Sequence, residues 1–519
     1  MTQEQALNIL KSGDNVFLTG AAGSGKTYVL NQYISYLRSH GVAVAVTAST
    51  GIAATHLNGT TIHSWSGMGI NDTLTDQEIK GLSRNARTAK RISTPAVLII
   101  DEVSMLDASR LQLVNRITRY FRSSFAPFGG LQVVVSGDFF QLPPVYKGQG
   151  EEGKMAFQGT GWQDLAPTIC YLSEQHRQED DAYLAVLNAI RDNAVDEGTY
   201  ALLEERFQAE IPHAKPARLF PHNFNVDSKN DKELDQLAGK TEVFEMTSSG
   251  NKKVSQALIK SCLAPERLVV KKEAVVMFVK NNFERKVVNG TMGIIEDFDS
   301  ATGYPVVRLK DGRRVVAIPD SWHVQDDSGK ILAQITQIPL RLAWAITIHK
   351  SQGMSLDAAE IDLSRAFSPG MGYVALSRVR SLSGLRLLGF NNTALQVHDL
   401  VSQVDAGFKE LSAIKAREVE AKDKGLLKSE HEKFLKNSGG QLAPKKEKFE
   451  EKNKKEKSTY LTDIRKKYSN AYTPWKEGDD ELLTTMFQSG IAREKIGEFF
   501  KRQPGSITMR LKKLGLIEE

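Results

Sequence analysis

The sequence predicts an α/β protein with two αβ sets, the first on a doubly wound parallel sheet, followed by a small all-α module at the C-terminus. Three observations carry that expectation. Apolar runs at Val16–Leu18, Val42–Thr47, Val97–Ile100 and Leu131–Ser136 alternate with helix-compatible stretches to about residue 195, the order of a parallel sheet with crossover helices. A second set begins near Arg218 and takes in Ala274–Val279, the Pro339–Ile346 approach and Leu385–Phe390. Helical apolar periodicity then returns only near Trp475.

The first strand is followed by Gly20-Ala21-Ala22-Gly23-Ser24-Gly25-Lys26-Thr27 and then by a helical pattern, the order a phosphate-binding loop requires. Gly20, Gly23 and Gly25 let the backbone curl, so that amides around Ser24 and the helix N-terminus face phosphate oxygens. Lys26 adds a point charge at the β- and γ-phosphates, and the Thr27 hydroxyl suits Mg2+. These residues imply binding of a nucleoside triphosphate, ATP with Mg2+ being the expected pair.

Val97–Ile100 reads as a strand buried on both faces, and it delivers Asp101 and Glu102 at its end. Asp101 is expected to hold the metal through its water shell, and Glu102 to polarise the attacking water.

The remaining elements set the domain limits. The first αβ domain is read as residues 1–195, with a polar, helix-compatible insertion at about 67–91, and the second as 196–404. Within the second, residues 287–337 break into short β-prone runs separated by Asn289-Gly290, Asp311-Gly312 and Ser328-Gly329, which suggests a small β-barrel-like insert. Residues 405–471 are read as a charged linker, since 445–457 run KKEKFEEKNKKEK with almost nothing to bury. The last segment, 472–519, reads as three short amphipathic helices with turns at Gly490 and Pro504-Gly505, resembling a Myb-like or helix-turn-helix module. Its third helix carries Arg510, Lys512 and Lys513, suited to phosphate contact, while a protein-docking bundle is the alternative.

Composition limits less. A chain of 519 residues holds two or three ordinary cores, and a net charge of +6 says little at that length. Cys170 and Cys262 are far apart and in no CxxC setting, which excludes a disulfide framework or a cysteine-rich zinc site. No apolar run reaches membrane-spanning length and the first residues do not form a targeting segment, so a cytoplasmic, nucleoid-associated protein is expected, with no membrane partner.

Seven ordered blocks together resemble one family. They are 20–27; TASTGIAA (47–54) with TIHS (61–64); DEVSM (101–105); GDFFQLPPV (137–145); EQHRQ (174–178); TIHKSQG (347–353); and YVALSR (373–378). The set is similar to the PIF (petite integration frequency) DNA helicases, relatives of RecD, over about residues 1–400. The resemblance implies two RecA-like P-loop NTPase domains with small insertions, and an ATP-dependent 5′-to-3′ helicase acting on single-stranded and on forked or structured DNA. Such enzymes serve DNA repair, recombination, replication and telomere maintenance.

The same resemblance assigns residue roles. Gln141 senses the γ-phosphate, while Arg177 and Arg378 act as arginine fingers that neutralise developing charge. Gln352 and Gly353 couple the nucleotide cleft to the nucleic-acid track, and Gln5 reads adenine. Thr47, Ser49, Thr50, His63, His349, Lys350 and Ser351 line the strand track through donors suited to sequence-independent phosphate binding. Three other functions remain open: a RecD-like subunit of a nuclease complex, a translocase that displaces proteins without separating strands, and a switch in which ATP controls nucleic-acid affinity without turnover.

Overall fold

The structure is a computed structural model of the whole chain. It describes all residues except 70, 145–153, 175–179, 212–215, 222–225, 283–284, 288, 310, 326–330, 445–467, 469, 471–474, 476–477, 503 and 518–519, and it leaves the side chains of 325, 504–505, 509 and 512–513 undescribed.

The first lobe is a six-stranded sheet formed by β1 (Val16–Gly20), β2 (Val44–Ala48), β3 (Thr60–Thr61), β4 (Val97–Asp101), β5 (Gln132–Ser136) and β6 (Thr168–Leu172), in the order β3-β2-β4-β5-β1-β6. Every pairing is parallel. β1, β2, β4 and β5 are buried along their whole length, which is why their sequences are unbroken apolar runs rather than alternating ones. β5 lies between β1 and β4, so the chain after all three emerges side by side at one sheet edge.

The expected strands of this lobe are present, while β3 and β6 are additional. β6, at the sheet edge, carries Thr168 and Tyr171 among its apolar residues and is only partly apolar in sequence. The 67–91 stretch holds the helices Asp76–Ser83 and Ala86–Ser93, anchored by buried Leu74, Ile79 and Ile92.

The second lobe has a four-stranded parallel sheet, ordered Ala345–Thr347, Ala217–Phe220, Ala359–Leu363, Leu385–Phe390. Ala274–Val279, expected within the second αβ set, is the antiparallel strand Val275–Phe278, paired with Met292–Phe298 and with Leu340–Leu342 and outside the parallel sheet. Periodicity cannot separate a buried antiparallel strand from a parallel one, because both read as unbroken apolar sequence. The antiparallel region is accordingly wider than 287–337. It runs from Glu242 to Leu342, in sheets of five, three and two strands.

A second correction concerns 405–471. Residues Asp399–Glu420 form a 22-residue helix, and Lys424–Asn437 a second helix that packs on α1 (Gln3–Ser12). Val419 and Leu435 are buried in the core of the first lobe, with Phe434 against it. The stripe was hidden because two of its buried positions are polar: Ser412 Oγ accepts the Tyr171 amide at 2.9 Å, and Asp405 Oδ2 accepts the Tyr171 hydroxyl at 3.4 Å.

The C-terminal unit has its own core. The helices Asp479–Gln488, Arg493–Phe499 and Pro504–Lys513 enclose Leu483, Ile496, Phe500, Ile507 and Leu511. Trp475 packs against this core with Arg502 4.4 Å and Arg510 5.4 Å from its ring centroid. Among the described residues no helix is long and apolar enough to cross a membrane.

Candidate active site and nucleic-acid track

The glycine loop follows β1 and enters α2 (Lys26–Ser39). Gly23 and Gly25 have φ of +93° and +87°, where a side chain is strained, and this turns the loop back over the helix N-terminus. A Cβ on Gly20 would lie 2.7 Å from the Leu172 carbonyl oxygen, so β1 can pass close to β6 only with glycine there. The Lys26 ammonium donates to the carbonyls of Gly20 and Ala21 at 2.9 and 3.1 Å. Burial lowers its pKa, against the opposing pull of Asp138, Glu102 and Asp101. Ser24 Oγ is buried and has no hydrogen-bond partner. An orphaned donor beside a lysine resting on its own loop is the polarity a phosphate would satisfy.

At the end of β4, Asp101 Oδ1 accepts the Glu102 amide at 3.0 Å. Glu102 itself sits in the left-handed region with φ +53°, which turns its carboxylate out of the strand line. Burial and then the neighbouring Asp101 raise its pKa to about 7, while Lys26 and Arg378 pull the other way. Asp101 is raised too, chiefly by burial.

In the turn that follows β5, the Gln141 side-chain amide donates to Asp138 Oδ2 at 3.2 Å. From the second lobe, Gln352 Nε2 donates to Glu102 Oε2 at 3.2 Å and to Gln141 Oε1 at 3.3 Å. Arg378, 1% exposed, donates to the Val374 carbonyl and to Ser377 Oγ at 2.8 and 2.7 Å, and burial lowers its pKa against the pull of Glu102. Gly353 adopts φ +78° and packs against the His56 ring, whose pKa burial lowers to about 4. Lys26, Asp101, Glu102, Gln141, Gly353 and Arg378 therefore face one cleft of about 1200 Å³.

The remaining expected positions have varied settings. Arg177 lies outside the described residues. Gln5 serves a capping box with Thr2, whose amide its side-chain oxygen accepts at 2.9 Å, while Gln3 Nε2 is the group that reaches the loop, at the Ser24 carbonyl. Thr47 and Ser351, expected on the strand track, are instead 1% exposed or less and donate to the Ile99 and Ile348 carbonyls, so they shape the backbone there. Ser49 donates to the Glu102 carbonyl at 2.7 Å and Thr50 caps α3 (Gly51–His56). His63, His349 and Lys350 are partly exposed, and burial lowers the pKa of His63. Arg510 forms a two-bond pair with Asp480, both at 2.7 Å, and the side chains of Lys512 and Lys513 lie outside the described residues.

Two residues of this neighbourhood have no signal in the motifs. Arg191, the last residue of the helix Asp181–Arg191, is buried against Asp138, and Asp405 arrives from a helix read as linker. Only spatial proximity reveals them, because nothing in the sequence of either helix singles out one charged residue from its neighbours.

A model of the PIF1-like helicase family matches residues 2–192. The chain is 46% identical over 500 residues to an ATP-dependent DNA helicase Pif1 of Psychrobacter sp., covering 85% of this chain and 76% of that one. A crystal structure of the Pif1 helicase from Candida albicans is 35% identical and superposes with a TM-score of 0.61, over 79% of this chain and 98% of that one. A Pif1 helicase from Bacteroides in complex with ADP-AlF3 and single-stranded DNA is 28% identical, with a TM-score of 0.52 over 79% of this chain and 96% of that one. With the loop, the carboxylates, Gln141 and the YVALSR arginine lining one cleft, and with this identity to a Pif1 helicase, the chain belongs to the PIF1-like helicase family.

Proposed function

We propose that this protein is an ATP-dependent DNA helicase that moves 5′-to-3′ on single-stranded DNA and opens forked or structured duplexes in genome maintenance. The reading rests on Gln352, which reaches from the second lobe to both Glu102 and Gln141 in the first. A site assembled from two lobes converts the state of its ligand into relative motion of those lobes. The similarity to Pif1 helicases supports DNA as the polymer.

ATP binds with its phosphates over the loop amides, where Ser24 Oγ and Lys26 Nζ turn to meet them. Glu102 takes the proton of the attacking water, Gln141 reads the γ-phosphate, and Arg378, with Arg177, neutralises the charge that develops in transfer. Thr27, exposed at the cleft, and Asp101 fit Mg2+, which when bound supplies charge neutralisation at the phosphates. His63, His349 and Lys350 belong to the strand track, held by backbone shaped through Thr47, Ser49, Thr50 and Ser351. The C-terminal module is a second nucleic-acid contact. Separate compaction and a core of its own support treating it as an independent module.

The test is unwinding of partial duplexes bearing a 5′ or a 3′ single-stranded tail. Unwinding of the 5′-tailed substrate alone is expected, and preference for the 3′ tail would overturn the direction while leaving the ATPase reading in place.

A further inference from the structure

Behind the nucleotide cleft lies a buried cluster of charge that the hydrolytic residues do not account for. Asp138 is fully buried, and its carboxylate accepts from the Phe140 amide and from Gln141 Nε2, each at 3.2 Å. A carboxylate so far from water is stable only with a cation beside it. Arg191, 4% exposed, is that cation: its Nη1 donates to both Asp138 oxygens at 2.8 Å. The same guanidinium donates to the Tyr373 hydroxyl at 3.1 Å and to the Tyr171 hydroxyl at 2.9 Å, and its carbon lies 4.2 Å from the centroid of the Phe140 ring. Asp405, on the helix after the second lobe, stands 4.0 Å from Nη2.

Two of these partners connect to the nucleotide cleft. Tyr373 lies in the second lobe, five residues before Arg378 on the same short segment, and its hydroxyl also accepts the Ala22 amide of the phosphate loop at 3.1 Å. Asp138 aims Gln141, whose side-chain oxygen accepts from Gln352. A single buried guanidinium thus connects, through Tyr373 and Asp138, the phosphate loop, Gln141 and the short helix Met371–Leu376 that leads into Arg378. Its planar fork allows this, since several donors are held in fixed directions.

We propose that Arg191 is a positioning residue for ATP hydrolysis, which aims Gln141 through Asp138 and ties that aim to lobe closure through the Tyr373 hydroxyl it shares with Ala22. When the lobes part, Tyr373 leaves the loop and Arg191 together, and Gln141 loses its fixed direction in the same step. The proposal rests on the ATPase reading of the cleft.

The experiment compares the full-length chain with Arg191→Gln, Arg191→Lys and Tyr373→Phe. It measures kcat and KM for ATP on saturating single-stranded DNA, ADP affinity, thermal stability, and the ratio of single-strand affinities with a non-hydrolysable ATP analogue and with ADP. Arg191→Gln and Tyr373→Phe are expected to lose about tenfold or more in kcat, with KM and ADP affinity changed by less than about threefold, and to bring the affinity ratio towards one. Arg191→Lys keeps a charge on Asp138 and restores thermal stability, but one ammonium cannot reproduce the fork and the ratio stays collapsed. Should Arg191→Gln fail to fold, Tyr373→Phe decides, because it leaves the Arg191–Asp138 pair intact. Wild-type turnover and ratio in folded Tyr373→Phe would overturn the proposal, as would parallel loss of kcat, ADP affinity and thermal stability, or recovery of the ratio by lysine. An unaltered chain without DNA-stimulated hydrolysis would instead overturn the functional reading itself.

Discussion

Gln352 and Glu102 meet across the lobes, the glutamine amide donating to the carboxylate at 3.2 Å. The same amide reaches Gln141 Oε1 at 3.3 Å, and Gln352 follows directly on the short Ile348–Ser351 helix that carries His349 and Lys350. A shift of that helix would therefore move a group already in contact with the Glu102 carboxylate.

Gln352→Ala should uncouple DNA from hydrolysis more than it damages hydrolysis itself. The stimulation of ATP turnover by single-stranded DNA is expected to fall by about fivefold or more, the effect of roughly 1 kcal/mol of coupling. Turnover with and without DNA checks this, and an equal loss in both would assign Gln352 to the chemistry alone.

Glu102 makes the rate and the stability depend on pH in opposite senses. Its pKa is raised from 4.5 to about 7 by burial and Asp101, so between those values the folded state holds a proton that the unfolded state has lost. Stability from this group is fully present below about 4.5 and is lost as pH rises through about 7. As the proposed base, Glu102 must be ionised, so hydrolysis should rise over the upper part of the same window. Glu102→Gln is expected to slow turnover by about a hundredfold or more while retaining ATP and DNA binding. It should also become more stable relative to the parent as pH is raised from 5 to 8, which paired thermal melts would show.

Lys26→Ala removes the ammonium proposed to meet the phosphates, which among the described residues bonds to the Gly20 and Ala21 carbonyls, so no side-chain partner is left unpaired. Hydrolysis should be abolished and the melting temperature kept, with single-strand binding surviving in part. Normal DNA-stimulated turnover would show that the loop is not the phosphate site.

The position of truncation should matter sharply. Ending the chain at Pro444 leaves the helices Asp399–Glu420 and Lys424–Asn437 in place, and DNA-stimulated turnover at saturating DNA should persist. Ending it near residue 410 strips Ser412, Val419 and Leu435 from the first lobe, at about 2–5 kcal/mol for each large apolar side chain removed. That shorter chain is expected to melt far lower or to aggregate. Equal melting temperatures for the two would mean that the second helix does not hold the lobe.

In the C-terminal module, Arg510 is bound to Asp480 and stacked by Trp475, so Arg510→Ala should lower the stability of the module. Lys512→Ala with Lys513→Ala should leave its fold intact and weaken DNA binding by an amount that shrinks as salt rises. A salt titration of the full chain and both variants separates the two effects. No change in affinity at any salt would make the module a protein-docking element.

The nucleotide half of the site was legible because its chemistry is local. Gly20 to Thr27 and Asp101 with Glu102 begin on the last residues of β1 and β4, Gln141 lies in the turn that follows β5, and unbroken apolar runs marked β1 and β4 and the strand before Gly137. A loop that must cradle phosphate constrains consecutive residues, so adjacency in the chain is enough. Arg191, Asp405 and the helical hairpin to Asn437 were not legible, because their meaning lies in partners far along the chain. Arg191 is an unremarked helix end until Asp138, 53 residues away, and Tyr373, 182 residues away, are brought to it. Thr47 and Ser351 show the converse: their motifs placed them near the strand track, but close packing turned their hydroxyls inward to backbone carbonyls. Residue type and spacing determined which groups could do phosphate chemistry. Only tertiary packing decided which of them are aimed into the cleft, since the direction of a buried polar side chain is set by the partner that satisfies it.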